Sequence, residues 1–187
     1  AMDVYISSAQ KLVDETIAER FSSALAQSHH VKAAALYTIT NGGHRWRPLL
    51  LLTAGRTYGA PDTALLPMAC VVELLHTAAM ILDDLPCMDN AQIRHGHATC
   101  YRTFGEDVTI LASHSLLPTC FEIVRTHCAA QCTAELTLLI ADMIRGQAAD
   151  LRLRGQMADY RELEQVYRLK SGRLFGFSVK IGALLAG

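Results

Sequence analysis

Apolar positions recur along nearly the whole chain at three- and four-residue intervals, the spacing of a helix that buries one face. Val4, Ile6, Leu12, Val13, Ile17, Phe21 and Leu25 predict a first helix over residues 4 to about 27. His29-His30 reads as a loop. A short helix follows over residues 31–40, closed by Asn41-Gly42-Gly43, which accept left-handed backbone angles. Residues 44–58 predict a third helix, with Pro48 in its early turns and Leu49 to Leu52 as its apolar body. Gly59-Ala60-Pro61-Asp62 is a turn, and Asp62 or Thr63 caps the next helix. Residues 65 to about 85 are long and largely apolar, which places them at the centre, and Pro86 ends them. Residues 90–105 are polar and loop-rich. Helices resume over 106–126 and 128–151, and over 158–186 after a polar break through Gly155. Strand patterning is almost absent. The pattern predicts an all-α bundle, one helical domain over residues 1–187, with no internal repeat, linker or low-complexity tract.

Composition narrows the picture. At 51% hydrophobic and 19% charged, the chain is globular rather than disordered. Its net charge of −1, with no basic stripe, excludes nucleic acid as the expected partner. The six cysteines lack paired zinc-finger spacing, and Cys128 and Cys132 share a helical face, so buried free thiols are expected. No leader pattern opens the sequence, and its apolar runs read as too interrupted to cross a bilayer. The expected location is therefore the cytoplasm. Ala1-Met2 reads as an addition ahead of a natural start.

One stretch carries the chemistry: ELLHTAAMILDDLPCMDNAQIRHGHATCYRTFG, residues 73–105. An apolar helix runs into Asp83, Asp84 and Asp89, and carboxylates at a helix C-terminus are disfavoured by the dipole unless cations bind. Three aspartates within seven positions offer hard oxygens suited to Mg²⁺. On an unbroken helix Asp83 and Asp89 point roughly 240° apart, but Pro86 lets the chain fold back and bring both toward one ion. Arg94 close behind points to a metal-bridged polyphosphate. Glu73, His76 and Asp83 fall at intervals of three and seven, on one helical face. The plainer alternative is a solvated helix end followed by an acidic loop.

Together with GGHRWRP at residues 42–48, this stretch resembles the trans-isoprenyl diphosphate synthases, the polyprenyl synthetase family. The resemblance rests on five segments in order: GGHRWRP, Asp83-Asp84-Leu85-Pro86-Cys87-Met88-Asp89, the FGED of Phe104 to Asp107, Gly146-Gln147 with Asp150, and Lys170-Ser171. It implies a helical bundle around a deep apolar cavity, in which an Mg²⁺-bound allylic diphosphate ionises and isopentenyl diphosphate attacks the cation. Carried over, Asp83, Asp84 and Asp89 hold the metal, and Arg94 and Lys170 hold the allylic diphosphate. Gln147 and Asp150 line the site, and Arg47 and His76 lie at the isopentenyl diphosphate. A diphosphate leaves only when cations absorb its charge, and the carbocation needs a water-poor cavity.

The sequence also departs from the family. It stops before the second aspartate-rich motif that members carry, so it reads as the N-terminal portion of the fold. His44 stands for Lys in GGKRxRP, His95 for the second Arg of an Arg-Arg pair, His97 for Lys and His114 for Asp. The first two changes replace fixed cations at the isopentenyl site with imidazoles that are half-charged near pH about 6.5. Three readings stay open: a synthase, a terpene cyclase that ionises one C20 substrate, and a non-catalytic partner subunit. Small residues at Ala78 and Ala79, just before Asp83, leave depth for a C20 chain. A homodimer is expected, with the helices over 106–151 as one source of its interface.

Overall fold

The computed structural model describes residues 2–21, 28–128 and 130–187. Helix α4, Asp62–Asp83, is the axis of the fold. A helix apolar on all sides has no face to give to water, and residues from Leu65 to Thr77 are buried with the exception of the partly covered His76. Helices α3, Trp46–Thr57, and α6, Glu106–His127, pack along it. Helices α1, Met2–Thr16, and α2, His29–Thr40, contribute further contacts. Contrary to the reading of interrupted apolar runs, α4 is long and apolar enough to cross a membrane. Some 78% of its apolar window is nevertheless buried inside the protein, so other helices satisfy that surface.

Most predicted elements are present with shifted ends. The first helix runs to Thr16 and continues as a π-helical segment, Ile17–Phe21; the predicted extension over 22–27 lies outside the described residues. His29 and His30 are not a loop but the first turn of α2. His44 precedes α3 rather than opening it, because Arg45 takes a left-handed conformation (φ 52°) that breaks helical continuity. Residues 90–105 hold more order than expected. Strands β1, Ile93–Arg94, and β2, His97–Ala98, form an antiparallel hairpin in which Arg94 faces His97. His95 (φ 51°) and Gly96 (φ 83°) make its two-residue turn, where both positions need positive φ. Helix α5, Cys100–Phe104, follows.

Helix α7, Ala130–Leu153, ends before the polar break. The last predicted helix is one run interrupted by a wider turn: α8, Tyr160–Tyr167, a π-helical segment, Arg168–Gly172, and α9, Arg173–Leu184. Asp159 begins it with a capping box, its side chain accepting from the Glu162 amide while Glu162 accepts from the Asp159 amide. Helix α9 lies against α3 so closely that a Cβ on Gly182 would stand 2.3 Å from the Leu51 carbonyl oxygen. Cys70, Cys100, Cys120 and Cys132 are buried as expected, whereas Cys128 is partly covered and Cys87 is exposed.

Arg45 fastens the helices together. Its guanidinium donates to Glu73 on α4 at 2.8 Å and to Asp14 on α1 at 2.8 Å. It also donates to the carbonyls of Ile39 on α2 at 2.5 Å and Gly42 at 2.9 Å. Burial pushes the Glu73 carboxyl up, and Arg45 opposes that shift. Removing one member of a buried pair leaves the other charge stranded, so Arg45→Met is expected to cost about 3–5 kcal/mol. Asp14→Asn, at a half-exposed partner, should cost less than about 1 kcal/mol. Urea unfolding of both variants checks the ranking; equal losses would remove Arg45 from this role.

Candidate active site

Helix α4 ends at Asp83, and the chain turns back on itself at once. The Asp89 amide donates to the Asp83 carbonyl at 2.9 Å and the Ala91 amide to the Asp84 carbonyl at 3.1 Å. Pro86, which has no amide proton, sits at the bend. The turn brings the backbones of Asp83 and Asp89 together, as their spacing around Pro86 predicts. It does not bring Asp84 with them. That carboxylate is 2% exposed and accepts from Arg94, through Nε at 3.0 Å and also through Nη2. Burial raises the Asp84 carboxyl, Arg94 opposes the rise, and the pairing holds Arg94 above the usual arginine value. Asp84 and Arg94 are thus committed to each other.

Helix α7 supplies the opposite wall. Gln147 and Asp150 lie one turn apart on α7, and Arg154, just past its end, continues that line at the next interval of four. Gln147 Nε2 donates to Asp83 Oδ1 at 2.5 Å. Lys170 Nζ lies 2.6 Å from Asp150 Oδ2 and 3.3 Å from Asp83 Oδ2, bridging the two carboxylates. Burial by itself lowers the Lys170 ammonium; the bond to Asp150 and the charge of Asp83 outweigh it, so its pKa is held above the usual value. Lys170 reaches this position from the π-helical turn, which lies directly on α7. A Cβ on Gly146 would stand 2.4 Å from the Lys170 backbone nitrogen. Arg154 completes the ring, bonding Asp89 at 2.9 Å. Asp89, Asp150, Arg154 and Tyr167 are among the residues lining a cavity of about 370 Å³.

These donors fit Mg²⁺ in a specific sense. Among the described residues no three metal-binding side chains gather into a closed cage. Mg²⁺ commonly takes one or two carboxylates, several waters and substrate phosphates instead. Asp83 and Asp89 are hard oxygen donors already drawing cations, here Lys170 and Arg154.

A second group, whose fixed charge is Arg47, lies farther along the open side of α4. His76, Ala79, Met80 and Asp83 form the less-buried stripe of that helix, so Ala79 is open while Ala78 is buried under Ser113, whose hydroxyl bonds its carbonyl at 2.8 Å. Burial, then the charges of Arg47 and His95, push His76 down to about 3. Burial also lowers Arg47; its guanidinium lies 4.5 Å from the Phe175 ring centre, and its buried Nε has no hydrogen-bond partner. Burial and Arg94 lower His95. His44 stands at the edge, stacked on the half-exposed Trp46.

The family model described as Polyprenyl synthetase matches residues 28–187. The chain belongs to the polyprenyl synthetase family. It is 34% identical over 176 residues to the farnesyl diphosphate synthase of Bacillus subtilis, covering 89% of this chain and 60% of that enzyme. It is 34% identical over 190 residues to the chloroplastic geranylgeranyl pyrophosphate synthase of Capsicum annuum, covering 96% of this chain and 50% of that enzyme. The geranyltranstransferase structure from Thermotoga maritima superposes with a TM-score of 0.89 at 34% identity, over 97% of this chain and 68% of that one. This family member thus spans about 60% of the length of the Bacillus subtilis enzyme.

Of the residues expected at the site of this family member, Asp83, Asp89, Gln147, Asp150 and Lys170 gather at one end of α4, and Arg47, His76 and His95 in the neighbouring group. Asp84 and Arg94 pair with each other, Ala78 faces the core, and His44 is peripheral. Arg45, Arg154 and Phe175 were not singled out. Arg154 carried a usable signal, since it follows Asp150 by one helical turn.

Two outcomes are expected. His76 stays neutral in the folded protein down to about pH 3, while the unfolded chain takes up its proton near pH about 6.5. Stability from this group is therefore complete above about pH 6.5 and is lost as the pH falls toward about 3. Urea midpoints at pH 7 and pH 5 should converge in His76→Gln relative to wild type. Gly146→Ala should push Lys170 off its carboxylates and lower turnover by about tenfold or more. Gly182→Ala, equally crowded but remote from the site, should cost stability without that loss of turnover.

Proposed function

We propose that this chain carries the substrate-binding centre of an Mg²⁺-dependent isoprenyl diphosphate synthase. The reaction condenses an allylic diphosphate with isopentenyl diphosphate. The allylic C–O bond breaks and its electron pair leaves with diphosphate. The isopentenyl double bond then attacks the allylic cation, and loss of a proton restores an alkene. Asp83 and Asp89 would hold Mg²⁺, which supplies positive charge to the leaving diphosphate. Lys170 neutralises the acidic wall and stands ready to donate to that diphosphate. Gln147 orients Asp83, and Asp84 holds Arg94 in place rather than binding metal.

The observation that carries a two-substrate reading is the second anion site. Arg47 on α3 offers a buried Nε without a hydrogen-bond partner beside His76 and His95; His76 shares the open stripe of α4 with Asp83, apart from the Lys170 bridge. A cyclase, which ionises one diphosphate, has no use for such a group. The relatives named as synthases support the same choice. Ala79, open on the stripe, leaves space for a C20 product. The reading takes residues 1–187 as one helical domain of the isoprenoid synthase fold, acting in the cytoplasm. It takes the protein as a homodimer in which a second copy covers Leu111, Leu138 and Ile144, exposed at 56%, 58% and 64% on α6 and α7.

Incubation with Mg²⁺, farnesyl diphosphate and isopentenyl diphosphate should yield an elongated diphosphate. Geranylgeranyl diphosphate alone should yield no hydrocarbon or alcohol. Products from the single substrate only would replace the synthase by a cyclase. Asp83→Asn should lower turnover by about a hundredfold or more.

A further inference from the structure

Arg154 stands just past the C-terminus of α7, and its two bonds go to the turn that carries Asp89. Nη1 donates to the Met88 carbonyl at 2.6 Å and Nη2 to Asp89 Oδ1 at 2.9 Å. Asp89, Asp150 and Arg154 face the same cavity of about 370 Å³. Both carboxylates that line it already hold a cation from the chain: Lys170 lies on Asp150 and reaches Asp83 behind it, and Arg154 lies on Asp89. The two cations are not equivalent. Lys170 is 26% exposed, whereas the side chains of Arg154 and Asp89 are 47% and 41% exposed. A pair so open to water is weak and readily exchanged.

We propose that Arg154 is an exchangeable counter-cation that rests on Asp89 until a divalent metal claims that carboxylate, and then donates to the diphosphate in the cavity. The inference rests on the reading of Asp83 and Asp89 as metal ligands. Three features support it. A guanidinium keeps its charge at all working pH values, and its planar fork matches diphosphate oxygens. The bond to the Met88 carbonyl does not involve the carboxylate, so Arg154 stays at the cavity wall after Asp89 is taken. Arg152, two residues earlier, points elsewhere, 3.8 Å from Glu162 and 67% exposed. It serves as the control for a general change of charge.

Calorimetry with Mg²⁺ alone, and then with inorganic pyrophosphate at saturating Mg²⁺, separates this role from simple fastening of the turn. Arg154→Gln should bind Mg²⁺ about fivefold more tightly, because a competing cation is gone. It should bind pyrophosphate about tenfold more weakly, because a charged donor is gone. Arg154→Ala should show the same two signs, and Arg152→Gln neither. A fastening role weakens both ligands together. Any result in which the two affinities fail to move in opposite directions overturns the proposal, as does the same pattern in Arg152→Gln. If the wild-type protein binds neither Mg²⁺ nor pyrophosphate, the metal-site reading falls and the proposal falls with it.

Discussion

Like charges are crowded at one end of an apolar rod, and the protein is arranged to make that tolerable. Asp89 and Asp150 line one cavity at the end of α4, and Lys170 ties Asp83 to Asp150 beside it. Left alone the carboxylates repel one another and oppose the helix dipole. Lys170, Arg154 and the Gln147 amide reach in from the opposite wall and supply the compensation. That compensation is loose on the outer side and tighter within. Such an arrangement accepts a metal and a polyanion in place of its own cations without rebuilding the helices.

The rest of the fold holds those groups still. Arg45 joins α1, α2 and α4 through one buried guanidinium, and it adopts a positive φ in doing so. The other non-glycine residues with positive φ among those described are Asn90 and His95, and both border the site. Residues in sparsely populated backbone regions persist only where surrounding contacts over-determine them. Here the over-determination is visible: the Asn90 amide bonds the Leu85 carbonyl at 3.0 Å, and its side-chain carbonyl accepts from Tyr101 at 3.0 Å.

The sequence was informative where a pattern forces a single outcome. Continuous apolarity from Leu65 onward leaves α4 nowhere but the interior, and Pro86 between two aspartates forces the fold-back. Lys170 and Asp150 were visible as motif residues. Their direct contact was not, because it depends on a π-helical turn that no local pattern announces and on the close approach at Gly146. Asp84 read as equivalent to its neighbours because adjacency in sequence hides direction; at a helix end, one position turns a side chain from Lys170 and Gln147 toward Arg94. Ala78 and Ala79 were separated by the same geometry. Arg45 escaped notice because a charged residue in a motif invites a ligand-binding role, while its partners are scattered from Asp14 to Glu73.

The hairpin carrying Arg94 has a consequence for how this region tolerates change in length. It is only two residues deep on each side, and Arg94 sits directly across from His97. Side chains alternate faces along a strand, so a one-residue slip inverts every one of them. A slip of the pairing by a single residue would swing the guanidinium away from Asp84 and strand a carboxylate in the interior. The tip can therefore change in length only where the pairing of Arg94 with His97 is kept, which ties the shape of this connection to one buried carboxylate.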